Sequence, residues 1–319
     1  MLKKITIKKI ILSSFMLLVI ALLYLLPDDI KELDVDKEIN YISIEQNKSE
    51  VYLLDKNGFV ARTMIEVNSD SNIEEEAKTI INSLILGNEN KYNIPNGFKP
   101  LIPSNTKLLS IQKQDKILKI NFSNEFLNIN KENEEKMIES LIYSITSIKG
   151  IDGIIIYIED KLLTELPNSK KFLPSTLTKD YGINKEYDIS TINNVDSINI
   201  YYVSKYNDDY YYVPVTKYVN ESDNKIEVII KHLVSHNSYE TNLMSFLARN
   251  TELINYEVKD KQMTLEFNNS IVNDVTKMNI LEEVKYTMFL SMSDNFDIDE
   301  LVFKVDSVEI DKTNQKDID

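Results

Sequence analysis

Sliding the chain 145 residues along itself lays one half over the other, and this duplication limits the fold more tightly than any other feature. Ile117-Leu118-Lys119-Ile120-Asn121-Phe122-Ser123-Asn124 falls on Gln262-Met263-Thr264-Leu265-Glu266-Phe267-Asn268-Asn269. At the same offset Asn105-Thr106-Lys107-Leu108-Leu109 falls on Asn250-Thr251-Glu252-Leu253-Ile254. Within each block apolar residues alternate: Leu109, Ile111, Leu118, Ile120 and Phe122, answered by Ile254, Tyr256, Met263, Leu265 and Phe267. A period of two puts them on one face of a hairpin. Asp115 and Asp260 sit at the turns, where an Asp side chain can bond nearby backbone N–H groups.

A helix is predicted before each hairpin. Ala77, Ile80, Ile81, Leu84 and Ile85 in the first copy, and Ile226, Ile229, Ile230, Leu233 and Val234 in the second, have the spacing of one buried stripe. Ser71 with Glu74, and Asn224 with Glu227, supply N-cap signals. Gly87 stops the first helix and Asn237 the second. A second helix follows each hairpin, on Met137, Ile138, Leu141 and Ile145 and on Ile280, Leu281, Val284 and Met288. Val51–Leu54 and Ile200–Val203 open the copies, and Ile154–Ile158 and Leu301–Val305 close them. The order in each copy is therefore β-β-α-β-β-α-β, an α+β fold of one sheet with its helices packed on one face.

These elements divide the chain into domain 1 at residues 50–165, a linker at 166–197, a diverged domain 2 at 198–310 and a charged tail at 311–319. The linker is long for a free connection, so part of it is expected to pack on a copy. Lys3, Lys4, Lys8 and Lys9 precede an uncharged apolar run, residues 10–26, long enough to span a bilayer once flanking lysines snorkel. With Asp28, Asp29 and Glu32 beyond it, the charge bias predicts a cytoplasmic tail at 1–9, a transmembrane anchor at 10–26, a stalk at 27–49 and an extracytoplasmic body. A retained anchor is favoured over a cleaved signal peptide, because no small-x-small site follows the run.

The chain contains no cysteine, so an exported body must hold without disulfides, and a lipid-modified cysteine, thiol catalysis and cysteine metal sites are excluded. Setting aside the four N-terminal lysines leaves 32 of the 36 basic residues against 51 acidic ones, a net charge of about −19. Nucleic acid is not an expected partner. The acidity reads first as solubility, and no calcium-loop pattern accompanies it.

The blocks Val51-Tyr52-Leu53-Leu54, Leu84-Ile85-Leu86-Gly87, Ile102 to Ser110 and Leu118 to Ser123, with Tyr143–Thr146 and Ile154–Asp160, resemble the GerMN domain of the sporulation and spore-germination protein M family. The resemblance covers both copies. It departs at Asp115-Lys116 and Asp260-Lys261, where the family often has Asp-Gly, and copy two carries no glycine. It implies a non-catalytic part of the envelope machinery of an endospore former, partnered by envelope or sporulation proteins or by itself, and it carries no ligand-binding residue with it.

His232 and His236, the only histidines, stand four apart on a predicted helix, but a third ligand is missing, Glu240 falling beyond the helix end. They read as structural or solvated residues. Glu74-Glu75-Glu76 complements a helix N-terminus. Nucleophile-elbow, S-x-x-K and phosphate-loop patterns are absent, so neither an enzyme nor a cofactor is expected. Tyr201, Tyr202, Tyr206, Tyr210, Tyr211 and Tyr212 surround a hairpin tip at Asn207-Asp208-Asp209. Tyrosine is first an ordinary strand residue; as an interaction surface, Tyr206, Tyr210, Tyr211 and Tyr212 would suit a protein or, by ring stacking, the glycan strands of peptidoglycan.

Overall fold

The computed structural model describes residues 9, 11, 12, 14–21, 47–68, 71–220, 224–235, 242–274, 276 and 278–318. Near the N-terminus the described residues are helical and exposed. Among the described residues no helix is long and apolar enough to cross a membrane. Residues 10, 13 and 22–26 of the expected span, residues 1–8 of the expected tail and 27–46 of the expected stalk, together with Asn237, Glu240 and His236, lie outside the described residues.

Copy one runs β1 (Asn47–Asp55), β2 (Val60–Val67), α1 (Ile73–Ser83), β3 (Phe98–Lys99), β4 (Leu108–Gln114), β5 (Ile117–Phe122), α2 (Glu134–Thr146), β6 (Gly153–Ile158) and β7 (Lys161–Leu162). After β8 (Glu186–Asp188), copy two runs β9 (Val195–Tyr206), β10 (Asp209–Asn220), α3 (Lys225–Ser235), β11 (Leu253–Lys259), β12 (Gln262–Phe267), α4 (Glu282–Asn295), β13 (Glu300–Val305) and β14 (Val308–Asn314). The α+β class stands, but each copy holds two sheets where one was expected. The orders are β2-β1-β3 with β4-β5-β6-β7, and β8-β10-β9 with β11-β12-β13-β14.

The sheets stay separate because a helix takes bonds that another strand would have taken. Tyr52 N–H donates to Ser144 Oγ at 2.8 Å, and Ser140 Oγ donates to the Tyr52 carbonyl at 2.5 Å, so α2 satisfies the backbone of β1. Copy two repeats the device: Tyr201 N–H donates to Ser291 Oγ of α4 at 2.9 Å. Within the four-stranded sheets β5 and β6, like β12 and β13, run parallel, because α2 and α4 carry the chain back between them.

The predicted stripes are buried, Ala77, Ile80, Ile81, Leu84 and Ile85 in one core and Ile226, Ile229, Ile230 and Leu233 in the other, except that Val234 is only partly buried. Helix α1 begins one residue later than the Ser71 signal implies. Asn72 is the N-cap, sharing a reciprocal capping box with Glu75, since either register places an acceptor opposite an acidic side chain. The helix ends at Ser83, before Gly87, and Leu84 and Ile85 complete the stripe from the following turn. Asp115 and Asp260 adopt left-handed backbone at φ 54° and 53°, a conformation that short polar side chains tolerate. The segment expected as a linker gives Leu166, Leu173, Leu177 and Ile183 to the copy-one core. Buried Glu134 at the start of α2 pins it by accepting the N–H groups of Asn168 and Ser169, both at 2.8 Å.

Candidate functional site

The two copies meet along the first hairpin of each. Buried Tyr52 and Tyr201, equivalent residues by their serine bonds, bring their hydroxyls to 3.0 Å at the junction. Glu50 lies 3.2 Å from the Tyr52 hydroxyl, and Tyr201 donates to Asp294 at 3.4 Å. Burial raises the Glu50 carboxyl, but the Arg62 guanidinium at 2.9 Å outweighs it and leaves Glu50 below the ordinary carboxylate range. Lys179 pairs with Asp294 from the connecting segment. Both tyrosine hydroxyls are pushed well up, first by burial and then by these carboxylates, so they remain neutral donors and acceptors.

The predicted tyrosine cluster lies at this junction, with its members in different settings. The hairpin tip falls at Asn207-Asp208, as expected, with Asn207 at φ 54°. Tyr211 is buried. Its hydroxyl donates to Asp55 Oδ2 at 2.8 Å and accepts from Ser204 Oγ at 3.0 Å, while its ring meets Phe98 edge-on. Burial pushes this hydroxyl up to about 12. Tyr206 seats its ring against Gly97, where an added Cβ would come within 2.7 Å, and Gly97 also needs its φ of +94°. Tyr212 packs edge-on to Tyr286. Tyr210 is 44% exposed beside Phe246, and Tyr201 and Tyr202 are core residues.

Tyr210, Tyr211 and Tyr212 line one wall of a groove of about 340 Å³, whose other wall is Arg62, Thr63, Met64, Ile65 and Glu66 of β2. This wall was not legible in the sequence, where β2 shows only an ordinary strand pattern. Replacing Tyr211 by Phe is expected to cost about 1.5–3 kcal/mol in urea unfolding, the range for a hydrogen bond to a charged group. The ring contacts would be retained, so the loss reports the hydroxyl's bonds, to Asp55 of the other copy and to Ser204.

Elsewhere, half-buried His232 borders a hollow of about 270 Å³ with Asp188 and Lys231, and burial lowers its pKa. Among the described residues no group of three or more acidic, His or Cys side chains is placed to hold a metal ion.

Two repeated α+β modules joined by a buried polar junction define a tandem GerMN architecture. A family model described as sporulation and spore germination matches residues 50–164 and 199–311, and the chain belongs to that family. It is 31% identical over 262 residues to the spore germination protein GerM of Bacillus subtilis (strain 168), covering 80% of this chain and 70% of that protein. The solved tandem GerMN domains of the sporulation protein GerM from Bacillus subtilis superpose with a TM-score of 0.74 at 28% identity. That likeness covers 82% of this chain and 92% of the solved one.

Proposed function

We propose that the chain is a membrane-anchored, extracytoplasmic, non-enzymatic scaffold of the sporulation or spore-germination envelope, docking to itself or to other envelope proteins. One observation carries the docking role. On β11, an edge strand, Ile254, Tyr256 and Val258 form a strip that is 60, 41 and 49% exposed. An open strand edge bearing apolar side chains favours pairing with another chain. In copy one α1 packs against the equivalent β4, Glu74 accepting the Lys113 N–H at 2.9 Å; Leu109, the counterpart of Ile254, is exposed there too, so Tyr256 and Val258 are what distinguish the copies. The lysine-flanked apolar run at residues 10–26 supports the anchor, and the relative's name supports the germination role.

Cross-linking of membranes from sporulating cells tests the scaffold. Wild type is expected to give a defined complex that is lost when Tyr256 and Val258 are both replaced by Lys, because charged edges block pairing. A solitary monomer throughout would refute it. Peptidoglycan binding is the second reading, favoured by the exposed Tyr210 ring beside Phe246. A labelled peptidoglycan pull-down that Tyr210→Ala leaves unchanged would remove that ring from consideration.

A further inference from the structure

The edge strand β11 has a backbone whose direction follows bond by bond. Lys259 pairs with Gln262 across the two-residue turn Asp260-Lys261, and the pairing continues at Glu257 with Thr264 and Asn255 with Glu266. A two-residue hairpin closes on a bonded pair, and bonded pairs recur at every second residue. Lys259, Glu257 and Asn255 therefore bond into the sheet. The far side of β12 agrees, because the carbonyl of Lys261, just before that strand, accepts the Asp299 N–H at 2.7 Å. Gln262, Thr264 and Glu266 are thereby turned toward β11. In a planar trans peptide the C=O and the following N–H point opposite ways. The N–H and C=O of Tyr256 and Val258 thus point away from the sheet, as does the C=O of Ile254, the residue at the β11 bulge.

In copy one the matching group is covered. Lys113, the counterpart of Val258 at the 145-residue offset, has its outward N–H taken by Glu74. Among the described residues no hydrogen bond reaches the outward groups of Ile254, Tyr256 or Val258. The other edge of the same sheet, β14, is protected by a bulge at Ile310 and by Glu309, Asp311 and Lys312. The sequence of β11 also complements itself. Exposed Ile254 and Val258 stand two residues to either side of exposed Tyr256. A second β11 turned about a two-fold axis through Tyr256 runs antiparallel to the first. It sets Tyr256 on Tyr256 and Ile254 on Val258 along one face, and Asn255 on Glu257 along the other. A register centred on Glu257 would oppose two glutamates directly, which is destabilising. One centred on Val258 would run Tyr256 against the turn residue Asp260 and shorten the pairing.

We propose that β11 is the interface of an isologous dimer with a second copy of this chain, two antiparallel β11 strands centred on Tyr256 joining their four-stranded sheets edge to edge. The Tyr256 N–H and C=O bond reciprocally with those of Tyr256 in the second copy, and each Val258 N–H donates to the facing Ile254 carbonyl. Ile254, Tyr256 and Val258 pack against their own counterparts and leave water. Main-chain bonds supply affinity, while the apolar face and the Asn255–Glu257 pairs set the register. Because one patch serves both copies, the contact closes at the dimer and does not propagate into a fibre. The proposal rests on the reading that β11 docks protein, and it names a second copy as the partner.

The chain has no cysteine, so single cysteines introduced on this exposed strand report its register directly. Residues in a bonded antiparallel pair hold their Cα atoms about 5.5 Å apart, within disulfide reach. With diamide as oxidant and the detergent-solubilised full chain, Tyr256→Cys is expected to give a disulfide-linked dimer about tenfold or more faster than Glu257→Cys or Val258→Cys, whose like positions lie farther from the axis. A second measurement leaves the tyrosine in place. Asn255→Lys faces Glu257 of the second copy twice over and should tighten the dimer about threefold or more in sedimentation equilibrium, a gain that high salt removes. Equal linkage rates at the three positions, fastest linkage through Glu257→Cys or Val258→Cys, or a dimer that Asn255→Lys does not tighten would overturn the proposal. So would the absence of any dimer while the membrane complex persists and remains sensitive to Lys at Tyr256 and Val258; that result would leave the docking reading standing with a different protein at β11. Loss of both dimer and complex would overturn the two together.

Discussion

Replacing Lys185 by methionine is expected to lower the unfolding free energy by about 3–5 kcal/mol at neutral pH, the cost of stranding a buried charge. Its ammonium group lies 2.9 Å from Glu139 and 2.6 Å from Glu135, and 3.9 Å above the Tyr181 ring. Lys185 and Glu139 side chains are 9% and 5% exposed, so water replaces little of what the lysine supplies. Glu139 also accepts the Asn184 N–H at 3.0 Å, and the pair thereby holds the segment whose Asn184 amide plugs the seam between the copies, donating to the carbonyls of Val60 and Pro214.

The loss should depend on pH in a stated direction. Burial already raises the Glu139 carboxyl despite Lys185, and removing the lysine raises it further. A carboxyl whose folded pKa is raised contributes stability below its unfolded value, and that contribution is lost as pH rises through the folded value. The Lys185→Met deficit should therefore shrink as pH falls toward the ordinary glutamate range. Urea unfolding of both proteins across that interval measures it; a deficit that grows on acidification would contradict the assignment.

Tyr201→Ala is expected to cost a comparable amount, about 3–5 kcal/mol, because it empties a large buried site. The ring is 2% exposed, and its loss also leaves the Tyr52 hydroxyl without its partner across the seam. Tyr201→Phe keeps the volume and should cost only about 1–3 kcal/mol. If the seam couples the copies, hydrogen exchange in the alanine variant should accelerate in the copy-one residues Tyr52 and Leu53 as well as in β9. Acceleration confined to copy two would show that the modules fold independently.

Much of the fold was legible because its signals are local and repeated. The helix stripes at Ala77–Ile85 and Ile226–Leu233 became the centres of the two cores, since a 3.6-residue apolar period admits one buried face. The paired hairpins held for the same reason. What misled was the assumption that apolar alternation means burial. Ile254 and Tyr256 alternate as Leu265 and Phe267 do, yet they lie on an edge strand and are exposed. Alternation fixes which face a side chain shares, while cover depends on what packs there. The split into two sheets had a faint signal in Ser140 and Ser144, small hydroxyls one turn apart on a buried helix face, and in Ser291 at the matching place. Their backbone bonds link residues some ninety positions apart, beyond any local pattern.

The candidate site divides along the same line. Sequence marked a tyrosine-rich hairpin tip, but it treated Tyr206, Tyr210, Tyr211 and Tyr212 as equivalent. Tertiary packing made Tyr211 an internal hydrogen-bond donor, set Tyr206 against a glycine of the other copy and left Tyr210 in water. The sequence by itself determined that there are two modules, which helix stripes centre each core, and the family to which they belong, because these follow from short-range periodicity and repetition. Only the tertiary structure decided how the modules join. A carboxylate, an amide plug and two facing tyrosines act across the seam by geometry that no spacing encodes.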